Sequence, residues 1–239
     1  METTERRYPV GIQTFQRIRE GGYVYVDKTD LMWQAQRLSP YIFLSRPRRF
    51  GKSLLTTTFK SFFEGRSDLF EGLKVMALEK EWEQYPVIHL DLSVAKSQLS
   101  ADVLRLQLTS LLDPYVEKWC PNAAEPSPGA LLRKLIRSAY EGSGQHQVVV
   151  LIDEYDAPLL DVLHDDERLP EYRIVIQEFF QTLKASEAMI RFCFITGITK
   201  FSQLSIFSTL NNLNNISMLP QYSAICGITE TELGTTLAP

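Results

Sequence analysis

The sequence has little of what marks secreted, membrane-spanning or nucleic-acid-coating proteins. Its 239 residues include three cysteines without a CxxC spacing and three scattered histidines, so we expect neither a disulfide framework nor a structural zinc site. No apolar run approaches the roughly 18 residues that span a membrane, and the amino terminus lacks an apolar signal core. The formal net charge of -4 excludes a global basic field that would hold nucleic acid. These absences predict a cytoplasmic protein without membrane contact.

The residues that are present predict an α/β fold. Hydrophobic residues make up 44% of the chain and charged residues 23%, which is ordinary for a globular domain. Short apolar runs alternate with segments of helical periodicity, and this alternation is typical of a parallel sheet flanked by helices. The predicted strands are 41–45, 87–93, 147–156, 191–196 and 222–228, and the main predicted helices are 52–64, one capped by Ser100, one around 131–139 and 170–185.

A glycine is missing from the stretch SRPRRFGKS, which lies between the first predicted strand and a helix. A phosphate-binding loop usually has glycine, four residues, and then Gly-Lys-Ser/Thr, but Arg46 occupies the first glycine position. Gly51, Lys52 and Ser53 still supply the helix N-terminus, the lysine for the β/γ-phosphates and the hydroxyl for magnesium. The predicted nucleotide-binding residues are Arg48, Arg49, Phe50, Gly51, Lys52, Ser53 and Leu54.

The arginine at the glycine position predicts a differently bent turn, stiffened by Pro47. Three roles remain open for Arg46, Arg48 and Arg49: they brace the turn, they contact a neighbouring subunit, or they act as arginine fingers within the chain.

Two acids end the apolar run VVVLI about a hundred residues downstream. At the end of a parallel strand, Asp153 could hold magnesium together with Ser53, and Glu154 could deprotonate the attacking water. The alternative is that these acids merely end a strand in solvent. Thr196 ends the next predicted strand, where it could contact the γ-phosphate or the attacking water. The alternative is that this threonine has no functional role. We predict Glu154, Lys52 and Thr196 as catalytic residues.

Six stretches together resemble the AAA-ATPase-like family of prokaryotic proteins. They are PVGIQTFQRIREGGYVYVDKT, FLSRPRRFGKSLL, YPVIHLDLS, VVLIDEYDAPL, FITGITKFSQLSIFSTLNNLNNIS and YSAICGITETEL. The resemblance implies the additional-strand type of P-loop fold, as in AAA and STAND ATPases, and it implies that the arginine-rich loop is a variant of the family. It also implies that Lys52 and Ser53 are Walker A residues, Asp153 and Glu154 Walker B residues, and Thr196 a sensor.

The resemblance also implies a domain organisation. We predict an amino-terminal extension over residues 1–40, a nucleotide-binding core over 41–228 and the start of a carboxyl-terminal lid over 229–239. Members of the family typically continue into a helical lid and a domain of the PD-(D/E)XK nuclease superfamily, which would connect this chain to nucleic acid only indirectly. A homo-oligomer is left open.

The amino-terminal extension has two readings. Its predicted strand Tyr23 to Val26 and the helix beginning near Thr29 could cover the adenine, with Tyr23 or Tyr25 stacking on the base and Lys28 near phosphate. Plain packing is the favoured reading.

The sequence thus predicts an ATP- and Mg²⁺-dependent switch or motor domain that controls an attached effector. Two alternatives remain: a nucleotide-sensing module with little turnover, and a small-molecule P-loop kinase.

Overall fold

The computed structural model describes residues 7–95, 100–198 and 212–237. Its strands are β1 (Tyr41–Ser45), β2 (Val87–Asp91), β3 (Val148–Asp153), β4 (Ile190–Gly197) and β5 (Asn214–Asn215). Its helices are α1 (Phe15–Glu20), α2 (Thr29–Leu38), α3 (Lys52–Phe63), α4 (Val75–Leu78), α5 (Ala101–Trp119), α6 (Pro128–Gly142), α7 (Ala157–Leu160), α8 (Arg168–Ala185) and α9 (Glu230–Thr235). Short 3₁₀ turns lie at Ser67–Phe70, Leu92–Val94, Glu187–Met189 and Pro220–Tyr222.

The described strands form one five-stranded sheet in which every pairing is parallel. The order is β2-β3-β4-β1-β5. Strand β4 therefore lies between β1, which precedes the arginine-rich loop, and β3, which carries the two acids. Because all strands run in one direction, their carboxyl ends meet at one edge of the sheet.

The sheet is covered by helices on both faces, and alternate side chains of its strands enter two apolar clusters. One cluster contains residues of α5, α6 and α8 together with Phe43 and Val150. The other contains residues of α1, α2 and α3 together with Ile42 and Leu151. Every residue of β3 is buried, as expected for a strand covered on both faces. The predicted α/β fold with a parallel five-stranded sheet is thereby confirmed.

Local capping explains where the two long helices on one face begin. The Ser100 hydroxyl accepts a hydrogen bond from the backbone N–H of Val103, at 3.3 Å, and α5 follows. Ser127 does the same for Ala130 at 3.2 Å, with Pro128 as the first residue of α6. These side chains satisfy amide groups that have no partner within the helix, and the first cap agrees with the sequence prediction.

The predicted strand over Tyr222–Ile228 is wrong. The chain there forms a 3₁₀ turn and bends, with hydrogen bonds from Tyr222 to Leu219 and from Ile225 to Tyr222. The turn buries the side chains of Tyr222, Ile225 and Cys226 in an apolar cluster. The prediction failed because a short apolar run looks the same in such a turn and in a buried strand. The fifth strand is instead β5, which begins at Asn214.

The amino-terminal extension also differs from its prediction. Tyr23 to Val26 has no strand pairing in the described structure, because the backbone N–H of Val24 bonds to the carbonyl of Arg7 within the same extension. Helix α2 begins at Thr29, as predicted.

Gly197 ends β4 where the chain has no room for a side chain. A Cβ atom there would lie 2.4 Å from two ring carbons of Tyr155 and 2.8 Å from Oδ1 of Asp156. We predict that Gly197→Ala lowers the free energy of unfolding by about 1–3 kcal/mol through overpacking, as measured by urea denaturation.

The matched control is Gly234→Ala in α9, where an added Cβ meets no atom within 4 Å. This variant should be neutral or more stable by at most about 1 kcal/mol. Equal effects of the two substitutions would contradict the close packing at Gly197.

Candidate functional site

The arginine-rich loop joins the carboxyl end of β1 to the amino end of α3. Its residues 47–51 are exposed. Arg49 and Gly51 have positive φ angles of 63° and 85°, so the backbone makes two left-handed turns just before the helix. The partial positive charge of a helix N-terminus and alternating backbone turns of this kind both favour a bound anion. The loop therefore has two backbone features that favour an anion, a helix N-terminus and residues with positive φ.

Lys52 folds back across its own loop. Its Nζ donates to the carbonyl oxygens of Arg46 and Pro47, each at 3.1 Å, and the residue is only 4% exposed. Both acceptors are neutral, so these bonds orient the ammonium without neutralising its charge. The lysine thus lies within the loop that would surround an anion.

Arg46, at the position of the missing glycine, holds the loop against a second segment. Its guanidinium donates to the carbonyl oxygens of Ser45 at 3.0 Å, Ser217 at 2.8 Å and Tyr222 at 3.1 Å. The planar guanidinium can serve several acceptors at once. Of the three roles predicted for this arginine, its contacts in the structure fit bracing of the turn.

The buried thiol of Cys226 lies beside the loop and is influenced by several charged side chains. Burial raises the pKa of Cys226 to about 12, while the positive charges of Arg46, Lys52 and Lys28 act in the opposite direction. The negative charge of Asp153 acts in the same direction as burial, and Lys28 is itself paired with Glu232, so charges of both signs lie near this thiol.

Asp153 and Thr196 meet at the carboxyl edge of the sheet. The Thr196 hydroxyl donates a short hydrogen bond to Oδ1 of Asp153, which also accepts from the backbone N–H of Glu154 at 3.1 Å. Thr196 is fully buried and Asp153 is 2% exposed. Neither residue ends its strand in solvent, and the threonine orients the aspartate.

Glu154 has a positive φ of 52°. This backbone conformation is costly for a residue other than glycine, and such strain is concentrated at functional sites. Its backbone N–H also lies 3.4 Å from the Thr196 hydroxyl. Glu154 is partly exposed, unlike its neighbour Asp153.

The sequence reasoning gave no role to Tyr155 and Asp156, which fasten the acidic turn to β4. The N–H of Tyr155 donates to the carbonyl of Thr196 at 2.9 Å, and Oδ2 of Asp156 accepts from the N–H of Ile198 at 3.0 Å. Both side chains are fully buried. Acidic residues are usually exposed, so nothing in the stretch DEYD indicates that Asp156 is buried. The short spacing indicates only that Asp156 lies close to the acidic turn.

Ser53 and Asp153 are the residues that could hold magnesium. Ser53 is the second residue of α3 and Asp153 the last of β3, so both lie where the strands' carboxyl ends meet the loop. Among residues 7–95, 100–198 and 212–237, no group of three or more His, Cys, Asp or Glu residues forms a metal cluster. A hydroxyl and a carboxylate fit Mg²⁺, which binds through one or two protein ligands and the substrate's phosphates.

A mostly apolar cavity of about 420 Å³ lies beside the loop. The amino-terminal extension, the loop with the start of α3, and the carboxyl-terminal segment each provide one wall. The predicted residues Arg49, Phe50, Gly51 and Leu54 line it, together with Tyr25 and Lys28. Exposed Arg48 does not line it.

The two tyrosines considered for base stacking have different surroundings. The Arg7 guanidinium lies over the ring of Tyr23, with its Cζ atom 4.7 Å from the centre of that ring. Tyr25 lines the cavity, packs edge-on against Phe15 at 5.1 Å, and has its pKa raised by burial. Packing thus accounts for Tyr23, whereas Tyr25 both packs and faces the cavity.

The parallel sheet, the loop after β1 and the acidic turn after β3 define an α/β domain of P-loop-like architecture. The sequence profile described as predicted AAA-ATPase matches residues 9–207. The chain belongs to this AAA-ATPase-like family.

A longer relative is similar over nearly the whole chain. It is a protein of Azotobacter chroococcum mcd 1 described as "Uncharacterized protein in vnfD 5'region", 39% identical over 240 residues. The alignment covers 99% of this chain and 46% of the relative, so the chain spans about half the relative's length. In the part of the chain described here, no helix is long and apolar enough to cross a membrane.

We predict that Arg46→Gly destabilises the protein although it restores the usual loop glycine. Three carbonyl groups lose a charged donor, and the free energy of unfolding should fall by at least about 2 kcal/mol in urea denaturation. Arg48→Gly, in the exposed part of the same loop, is the control and should change stability little. Equal stability of the two variants would show that Arg46 does not brace the turn.

Proposed function

We propose that this domain binds ATP with Mg²⁺ at the loop and hydrolyses it. The observation that supports this proposal is the arrangement at one edge of the sheet: the Lys52 loop follows β1, Asp153 ends β3, and the intervening strand β4 carries Thr196, which bonds to Asp153. A strand inserted between the loop strand and the acid strand is what we expect of the additional-strand P-loop type, to which we assign this fold.

Each residue receives a role consistent with its surroundings. Lys52 and the backbone at the start of α3 bind the β- and γ-phosphates. Ser53 and Asp153 hold the magnesium ion, which offsets negative charge on the phosphates. Glu154 accepts a proton from the attacking water. Thr196 positions Asp153 through the hydrogen bond already described.

The cavity supplies a place for the base. Its walls are mostly apolar, and its volume of about 420 Å³ is within the usual range for small-molecule sites. Because the cavity adjoins Gly51 and Leu54, a nucleotide with its phosphates on the loop can reach it with its base.

A second candidate is a nucleotide-sensing module with little turnover. It is favoured by Arg46, whose guanidinium is committed to three backbone carbonyls and is therefore poorly placed to serve as an arginine finger. An arginine finger accelerates phosphoryl transfer by about 10³- to 10⁵-fold. Slow hydrolysis by the isolated chain with tight ATP binding would support this second candidate.

We also propose that the nucleotide state controls an attached effector. The Azotobacter relative is about twice as long as this chain, which leaves room in that protein for a further domain. A nuclease-like effector, the family expectation from the sequence, belongs to this proposal.

We predict that Lys52→Ala weakens ATP binding by about 10- to 150-fold, the usual effect of losing a charged hydrogen bond. Isothermal titration calorimetry with Mg²⁺ measures it, and circular dichroism checks the fold. Lys60→Ala, on the same helix with its Nζ 4.0 Å from Glu64, is the control and should bind ATP normally. Unchanged affinity in a folded Lys52→Ala protein would contradict the loop assignment.

We predict that Glu154→Gln keeps ATP–Mg²⁺ binding but slows phosphate release by about 10²- to 10⁴-fold, because the amide retains the shape and loses the base. Steady-state phosphate release and calorimetry separate the two effects. The exposed Glu141→Gln of α6 serves as the control. If Asp153→Asn abolished hydrolysis while Glu154→Gln were silent, the two acids would have to exchange roles.

A further inference from the structure

An ion pair at the rim of the cavity joins the two ends of the described chain. Nζ of Lys28 lies 2.5 Å and 2.6 Å from the two carboxylate oxygens of Glu232, across 204 positions of sequence. Lys28 immediately precedes α2 and is 7% exposed, and Glu232 lies in α9. The pair therefore connects α9 directly to the amino-terminal wall of the cavity.

The structure keeps this pair charged and oriented. Burial opposes the charge on Glu232, but hydrogen bonds from Lys28 and from Thr229 outweigh it and hold the pKa of this carboxyl below its usual value. The N–H of Thr229 donates to Glu232 at 2.8 Å, and the N–H of Glu232 donates to the Thr229 hydroxyl at 3.2 Å. This capping box fixes the carboxylate at the first turn of α9.

Within residues 7–95, 100–198 and 212–237, α9 has few other stabilising contacts. None of its residues is buried, and Leu233 is 60% exposed. Just beyond it, the carbonyl of Leu237 accepts a hydrogen bond from the hydroxyl of Tyr8 at 3.3 Å. A helix with few buried apolar contacts belongs to the least stable part of a fold, so the docking of α9 depends strongly on the ion pair.

The residues on either side of α9 are also walls of the cavity. Leu237 and Ile228 line it together with Val26 and Lys28 of the amino-terminal extension. A planar base in the cavity would contact both walls and would add the apolar contacts that α9 itself lacks. A ligand shifts the equilibrium between docked and undocked α9 only if it binds the docked state more tightly. Contacts of the base with both walls would supply that difference.

We propose that the Lys28–Glu232 pair is a latch that docks α9 beside the cavity, and that the base of a bound nucleoside triphosphate strengthens it. We expect the triphosphate chain alone, seated on the loop, to leave the latch unchanged, because it offers no apolar surface to Ile228 and Leu237. The strengthening of the latch by a bound base rests on the proposed ATP-binding function. The docking of α9 by the ion pair does not depend on that function.

The first experiment measures amide hydrogen exchange of residues 229–237 without ligand. Glu232→Gln keeps the size of the side chain but removes its charge, and should accelerate exchange there by at least about tenfold, as expected for local opening. Glu230→Gln, an exposed acid of the same helix, is the matched control and should leave exchange unchanged. The exchanged pair Lys28→Glu with Glu232→Lys should restore part of the protection. Unchanged exchange in Glu232→Gln would overturn the latch whatever the protein binds.

The second experiment compares ATP–Mg²⁺ with inorganic tripolyphosphate–Mg²⁺. We expect ATP to slow exchange at residues 229–237, and tripolyphosphate to slow it at the start of α3 only. Glu232→Gln should weaken ATP binding by about 5- to 150-fold, the usual range of coupling between sites, and leave tripolyphosphate binding unchanged.

The outcomes separate the latch from the proposed function. If both probes bind and residues 229–237 exchange equally with each, the ligand-dependent latch is wrong and the ATP site stands. If neither probe binds, the proposed function and the ligand-dependent latch both fail.

Discussion

The candidate site depends on the parallel register of three neighbouring strands. Leu44 pairs with Thr196 and Ser45 with Gly197 on one side of β4, and Ile152 pairs with Ile195 on the other. This register places Thr196 beside Asp153, so that its hydroxyl reaches the carboxylate. A shift of one residue would turn Thr196 to the other face of the sheet. The alignment of the loop with the acidic turn is therefore a consequence of strand pairing.

Charged side chains that bond to backbone groups connect the parts of the site. Arg46 joins the loop to the segment at Ser217 and Tyr222 through carbonyl oxygens, and Asp156 fastens the acidic turn to the N–H of Ile198. Both side chains use strong charge-assisted bonds to neutral partners. Arg46 and Asp156 thereby fix the positions of their loops relative to neighbouring segments. The ammonium of Lys52 remains within the loop after β1, and Glu154 lies near the carboxyl edge of the sheet.

The cavity shows how distant segments complete one site. Its lining comes from residues near Tyr8, from the start of α3 and from the turn around Cys226. The Lys28–Glu232 ion pair joins the amino-terminal segment to α9. A ligand there would contact both the amino-terminal and the carboxyl-terminal segment. Binding and the arrangement of these ends are therefore expected to influence each other.

The sequence alone determined the fold class and the positions of the Gly-Lys-Ser loop and of the two acids at strand ends. These depend on local patterns: an apolar strand, a Gly-Lys-Ser turn and a helix. Ser100 as a cap and the buried strand β3 were predictable for the same reason. Only the tertiary structure decided that β5 is the pair Asn214–Asn215, that residues 222–228 form a turn, and that Asp156 is buried. It also decided the bracing role of Arg46 and the pairing of Lys28 with Glu232. These features arise from contacts between residues up to 204 positions apart, and no local pattern of the sequence specifies which distant groups the packing brings together.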